Sequence, residues 1–165
     1  MIKRNSLNVV ASGDREIHVS RTFNAPRELV FKALTTPEML NQWFGGPDGW
    51  ELITCEFESR VGGTYRYVWR NVDNGGEMGM GGTILEFDPP ESYTCTERFD
   101  QAWYPGDARS TIELTERSGS TMLLLTITYE SQEARDMVMA SPMKEGMAIG
   151  YDRLEQFLST VGAHA

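Results

Sequence analysis

The chain has 165 residues, of which 40% are hydrophobic and 24% charged, a composition that excludes wholesale disorder and suits one domain with one core. The formal net charge of −9 repels phosphate groups and anionic lipid, so neither nucleic acid nor a membrane surface is expected as a partner. Plain solubility explains this charge better than an acidic docking surface does.

Regular patterning begins at Glu16, so residues 1–14 are expected to form a flexible tail and residues 15–165 a single domain. Apolar and polar residues alternate over 16–23, which predicts a half-buried strand. A short helix is predicted next, with Asn24 as its cap and Pro26 near its first turn. A second short helix is expected to begin at Pro37 and to end near Gly45.

Six strands and one long helix are predicted in the rest of the chain. The predicted strands span residues 49–59, 64–70, 77–87, 93–99, 108–116 and 121–129. Gly79, Gly81 and Gly82 lie within the third of them and indicate strong curvature or a close backbone approach, since no helix follows as in a phosphate-binding loop. Apolar residues recur at steps of three and four from Met143 to Val161, which predicts a long amphipathic helix. Helices segregated from an antiparallel meander indicate an α+β domain whose last helix covers the sheet.

Several short motifs resemble a known superfamily. They are Ala25-Pro26, Trp43-Phe44, Gly62-Gly63, the run from Leu85 to Glu91 and the closing sequence EGMAIGYDRLEQFL. Over about residues 15–161 the chain resembles START-like, Bet v 1-like proteins, and within them those related to the C-terminal domain of the Hsp90 ATPase activator. The resemblance implies a helix-grip fold, in which a curved antiparallel sheet wraps a long C-terminal helix and leaves an internal cavity. No invariant catalytic set is implied.

Aromatic and methionine side chains are the first candidates for lining such a cavity. Tyr65, Tyr67 and Trp69 alternate along one strand and are expected to face the closing helix, since successive strand residues point to opposite sides. Ordinary core packing is the competing interpretation for these rings, and it is favoured for the methionines. The candidate ligand-binding residues are Trp43, Phe44, Tyr65, Tyr67, Trp69, Met78, Met80, Glu97, Trp103, Met147 and Tyr151.

Glu97 is the one candidate for a catalytic role. Its position along the strand matches Tyr93, Cys95 and Phe99, which places a carboxyl group on a mostly apolar face. Burial there would raise the pKa of the carboxyl, as a general acid or a ligand anchor requires. The competing interpretation, which is favoured, is a local twist or bulge that leaves Glu97 in solvent. Relatives commonly have an aromatic residue near this position.

Neither a metal nor a cofactor is expected, since His18 and His164 have no neighbours at metal-ligand spacing and no hydrolase motif is present. Cys55 and Cys95 are too few for a disulfide scaffold, and no apolar run suits a signal peptide or a membrane span. A cytoplasmic protein is therefore expected.

Three functions remain open. The first is a carrier or sensor that binds a small hydrophobic or aromatic ligand in an internal cavity. The second is an enzyme of the cyclase or aromatase kind, using Glu97. The third, an Hsp90 co-chaperone-like interaction, is implied by the resemblance alone. The identity of the ligand and the oligomeric state do not follow from the sequence.

Overall fold

A computed structural model describes residues 6–45 and 48–163, which form eight strands and four helices. The strands are β1 (Asn8–Ser12), β2 (Glu16–Phe23), β3 (Trp50–Phe57), β4 (Thr64–Asn71), β5 (Glu77–Asp88), β6 (Ser92–Phe99), β7 (Ala108–Arg117) and β8 (Ser120–Tyr129). The helices are α1 (Arg27–Thr35), α2 (Pro37–Trp43), α3 (Gln132–Met139) and α4 (Met143–Ala163). His164 lies outside the described residues.

The strands form one antiparallel sheet in the order β1-β2-β8-β7-β6-β5-β4-β3. The meander from β3 to β8 pairs neighbours in sequence, and β2 closes onto β8, with Ile17 opposite Ile127 and Val19 opposite Leu125. Along β2 every second side chain points to the inner face, so Ile17, Val19 and Phe23 are fully buried. The predicted α+β fold, a curved antiparallel sheet with a long C-terminal helix, is confirmed.

The two halves of α4 differ in how they pack. In the second half, Tyr151, Leu154 and Leu158 are buried, and the ring of Tyr151 meets that of Phe23 edge-on at 5.8 Å. In the first half, residues 143–150, no side chain is buried; Met147 is half-buried. The second half therefore anchors the helix, whereas the first half covers the inner face loosely.

The N-terminal segment corrects one expectation. Residues 1–14 were expected to be a tail, but Asn8–Ser12 pair with β2 as an edge strand, with Val9 opposite Val19. Most of its side chains are exposed, so the strand has little apolar alternation for a sequence pattern to reveal. Backbone pairing to the edge of β2 holds it in the sheet.

The helices contain two further differences from the sequence analysis. Helix α3 was not predicted; Ser131 caps it by accepting a hydrogen bond from the Ala134 N–H at 3.1 Å, and Ala134 and Val138 are buried. Asn24 does not cap α1, because Pro26 occupies the cap position and no side chain bonds there. Within the described part of the chain, no helix has the combined length and hydropathy needed to cross a membrane.

Candidate functional site

An aromatic row runs along the inner face of β4. Tyr65, Tyr67 and Trp69 are all buried there, at alternate positions of the strand. The ring centroids of Tyr65 and Tyr67 are 5.3 Å apart, and those of Tyr67 and Trp69 are 6.0 Å apart. The alternation in the sequence therefore yields a continuous strip of rings.

Helix α2 places two more rings beside this row. Phe44 meets Tyr67 and Trp69 edge-on, with centroids at 5.1 and 5.2 Å. The indole N–H of Trp69 donates to the carbonyl of Phe44 at 2.9 Å, and that of Trp43 donates to the carbonyl of Ala33 at 2.9 Å. The Trp69 bond thus joins β4 to the end of α2, and the Trp43 bond joins α2 to α1, which leaves the ring faces for apolar contact.

Tyr65 spans β5 to reach the next strand. Its hydroxyl donates to the carbonyl of Thr96 at 2.7 Å, and its backbone lies opposite Gly82 of the intervening strand. A Cβ atom at Gly82 would collide with that same Thr96 carbonyl oxygen. The glycine therefore marks a close approach of two backbones, as the sequence pattern predicts.

Glu97 lies at one end of the inner face. It is opposite Ala108 of β7, on the same side of β6 as Tyr93 and Cys95, which are buried. Glu97 is half-buried, and its partial removal from water raises the pKa of the carboxyl to about 7, with no hydrogen bond or neighbouring cation acting to lower it. The carboxyl can therefore exist in either protonation state near neutral pH.

Three phenols surround this carboxyl. Burial raises the pKa of Tyr65, Tyr104 and Tyr129, and in each case the charge of Glu97 raises it further. They come from β4, the β6–β7 connection and β8, so three separate parts of the chain converge on one residue. The hydroxyl of Tyr104 is buried and has no hydrogen-bond partner among the described residues.

Two arginines near Glu97 form ion pairs with other carboxylates. Arg98 pairs with Asp107 at 2.8 Å, and Arg66 pairs with Asp100 at 2.7 Å, both at exposed positions. Gly79 permits the second pair, because a Cβ atom there would overlap the Asp100 carboxylate. The guanidinium groups of Arg98 and Arg66 therefore pair with other carboxylates and do not neutralise Glu97.

A second aromatic cluster includes Tyr104 and Tyr129, two of the phenols near Glu97. The ring of Tyr104 meets Tyr129 at 5.2 Å and Trp103 at 5.0 Å, and Phe99 meets Trp103 at 5.8 Å. Outside these rings is a pocket of about 310 Å³. It is lined by Arg98, Phe99, Asp100, Ala102, Trp103, Tyr104, Gly106 and Asp107. Trp103 thus lies in an outer pocket, apart from the β4 row.

The methionine candidates are spread over the rim. Met78 is opposite Trp69 and Met80 opposite Tyr67, so both share a face with the β4 row. Met78 is exposed, whereas Met80 and Met147 are half-buried against the core. No group of three or more histidine, cysteine or acidic side chains able to hold a metal was found among residues 6–45 and 48–163.

Arg21 is an inner-face residue that the sequence analysis missed. It is 5% exposed, and its guanidinium lies 5.4 Å from the ring centre of Phe23 and 2.6 Å from Asp152 of α4. Its Nε has no hydrogen-bond partner within the part of the chain described. The alternation of side chains along β2 could have revealed Arg21, because it shares a face with Val19 and Phe23. Tyr104 was also missed as a residue near Glu97, since it lies in a connection without a periodic pattern.

Comparisons with known protein families and solved structures identify the family of the chain. The family model for activator of Hsp90 ATPase homolog 1-like proteins matches residues 24–159. The chain belongs to this family. No curated protein matches the chain.

Solved structures of bacterial proteins share the fold over nearly the whole chain. A protein from Rhodobacter sphaeroides is 29% identical in sequence and has a TM-score of 0.89. The match covers 94% of this chain and 99% of the Rhodobacter chain. A protein from Chromobacterium violaceum is 30% identical with a TM-score of 0.70, covering 89% of this chain and 96% of its own. CalU16 from Micromonospora echinospora, at 23% identity and a TM-score of 0.62, covers 97% of this chain and 88% of its own and shares the fold.

Proposed function

We propose that the protein binds a small hydrophobic or aromatic ligand between the inner face of the sheet and α4, as a carrier or sensor. The observation that carries the proposal is a strip of buried rings on β4, in a fold that also buries polar groups without partners. The Tyr104 hydroxyl and the Arg21 Nε are both buried without a hydrogen-bond partner among the described residues. Such groups cost free energy unless water or a ligand meets them.

The loose first half of α4 supplies a way in. Residues 143–150 contribute no buried side chain, and Met147 covers the inner face only in part. Methionine is flexible and adapts to irregular partners, so it suits a boundary that must accommodate a ligand. A site with apolar walls and a few polar groups is the usual form of a small-molecule site.

Thermal unfolding with a ligand panel tests the proposal. The panel contains neutral naphthalene-sized aromatics and medium-chain fatty alcohols, with a sugar of similar size as the polar control. A ligand at 100 times its Kd stabilises the folded state by about 2.7 kcal/mol, which corresponds to a rise in Tm of roughly 5–10 °C for a domain of this size. A panel in which no apolar compound raises Tm above the sugar control would contradict the proposal.

Catalysis by Glu97 is a second candidate, favoured by one observation. A carboxyl with a pKa of about 7 is suited to proton transfer at neutral pH, as a cyclase- or aromatase-like reaction requires. With a compound that binds and is converted, Glu97→Gln should abolish turnover and retain binding. If every bound compound is recovered unchanged, the carrier function stands and the enzymatic one fails.

Contact with an Hsp90-type chaperone is supported by the family description alone. A pull-down assay with the full chain and a purified bacterial Hsp90 tests this contact. Failure to bind at micromolar concentrations would remove this function and leave ligand binding unaffected.

A further inference from the structure

The Glu97 carboxyl is a charge without compensation. It lies on the inner face of β6, at a position where burial alone sets its pKa. Arg66 and Arg98 pair with other carboxylates at exposed positions, and among the described residues no cation acts to lower the pKa of Glu97. An ionised carboxyl in such a setting is stabilised strongly by any cation that can reach it.

The surroundings of Glu97 also favour a cation. Tyr65, Tyr104 and Tyr129 are buried beside it, and Tyr104 and Tyr129 meet edge-on at 5.2 Å. Aromatic faces attract ammonium groups by their quadrupole, and the attraction grows when the site excludes water. The unpartnered hydroxyl of Tyr104 adds an oxygen that can accept a hydrogen bond from an N–H group.

We propose that the Glu97 end of the inner face binds the ammonium group of a hydrophobic amine, whose apolar body lies along the β4 rings. This inference rests on the proposed function and names the chemical class of the ligand. Tyr65 joins the two parts of the site, because its ring contacts that of Tyr67 at 5.3 Å while Glu97 lies within range to raise its pKa.

The site also predicts how binding depends on pH. The titratable groups that face Glu97 are Tyr65 of β4, Cys95 of β6, Tyr104 of the β6–β7 connection and Tyr129 of β8, and burial raises the pKa of each. All four remain neutral between pH 6 and 8, whereas Glu97 titrates. Since its pKa is about 7, its ionised fraction falls about tenfold from pH 8 to 6. The affinity of the protein for the amine should therefore also fall about tenfold between pH 8 and pH 6.

Calorimetric titration with three ligands that share one ring system tests the inference. They are 2-(1-naphthyl)ethylamine, 2-(1-naphthyl)ethanol and 1-naphthylacetate. At pH 8 the amine should bind at least tenfold more tightly than the alcohol, and the acetate should bind most weakly. Lowering the pH to 6 should weaken binding of the amine about tenfold and leave the affinity for the alcohol unchanged, because only the amine requires ionised Glu97.

Two matched variants complete the test. Glu97→Gln should remove the preference for the amine, whereas Glu113→Gln, which removes the same charge from an exposed position on β7, should keep it. Equal binding of amine and alcohol by the wild-type protein, or a preference that survives Glu97→Gln, overturns the inference while the proposed function stands. If none of the three ligands binds, both the inference and the proposed function are contradicted.

Discussion

At the scale of single residues, Glu97 links burial to the pH dependence of folding. Burial raises the pKa of its carboxyl from the ordinary 4.5 to about 7, so the folded protein holds a proton that the unfolded chain releases. The stabilisation from this residue is therefore fully present below about pH 4.5 and is lost as pH rises through 7.

Glu97→Gln should accordingly stabilise the protein at pH 8 and have little effect at pH 4.5. The shift from 4.5 to about 7 corresponds to a gain in the free energy of unfolding of roughly 2–4 kcal/mol at pH 8. Urea unfolding of both proteins at the two pH values measures it, with Glu113→Gln as the exposed control. A difference that is the same at both pH values would contradict the assignment of a raised pKa.

Gly82 is the residue whose small size the sheet requires most clearly. A Cβ atom there would overlap the Thr96 carbonyl oxygen, which also accepts the Tyr65 hydrogen bond. Gly82→Ala should lower the free energy of unfolding by about 2 kcal/mol or more, as overpacking does. Gly146→Ala is the control, since an added Cβ meets no atom within 4 Å and should stabilise α4 by about 0.5–1 kcal/mol. Denaturant unfolding that gives both variants the same stability would refute the close approach.

At the scale of elements, α4 is fixed to the sheet by its second half. Besides the apolar contacts of Leu154 and Leu158, the helix carries Asp152, whose carboxylate accepts from Arg21 of β2 at 2.6 Å. The Arg21 side chain is 4% exposed and the Asp152 side chain 68% exposed, so the pair connects a buried cation to the surface. A buried guanidinium that loses its partner is costly.

Asp152→Asn should therefore destabilise the protein by roughly 1.5–3 kcal/mol, the range for a hydrogen bond to a charged group. Asp107→Asn breaks a pair with Arg98 in which the side chains are 49% and 75% exposed, and should cost less than about 1 kcal/mol. Urea midpoints of the two variants measure the contrast. Equal losses would show that Arg21 does not depend on α4 for its charge partner.

The elements also show what the sequence could and could not predict. The strands of the meander follow from the alternation of rings and polar residues, as in Tyr65, Tyr67 and Trp69, because that period is a local property of the chain. The edge strand Asn8–Ser12 escaped prediction because backbone pairing rather than apolar burial holds it. Helix α3 escaped because only two of its three buried side chains, Ala134 and Val138, are apolar, and the third is the charged Arg135.

At the scale of the whole molecule, the site depends on contacts that no local pattern contains. The alternation of side chains along β6 predicts that Glu97 lies on the apolar face. The raised pKa of its carboxyl is consistent with that position. That alternation could not predict Tyr104 and Tyr129, because a connection and a distant strand bring them to Glu97. The pairing of Arg21 with Asp152, 131 positions apart, likewise appears only in the folded chain.

Ligand binding is proposed between the inner face of the sheet and the first half of α4. Fluorescence titration with prodan, a neutral naphthalene dye, tests it in the wild-type protein and in two variants of that helix. Met147→Trp enlarges a half-buried side chain on the inner side, whereas Ile149→Trp enlarges an exposed one on the same helix. We expect saturable, blue-shifted emission from the wild-type protein and from Ile149→Trp, and its loss in Met147→Trp. No saturable binding by the wild-type protein, or equal binding by both variants, would contradict the account.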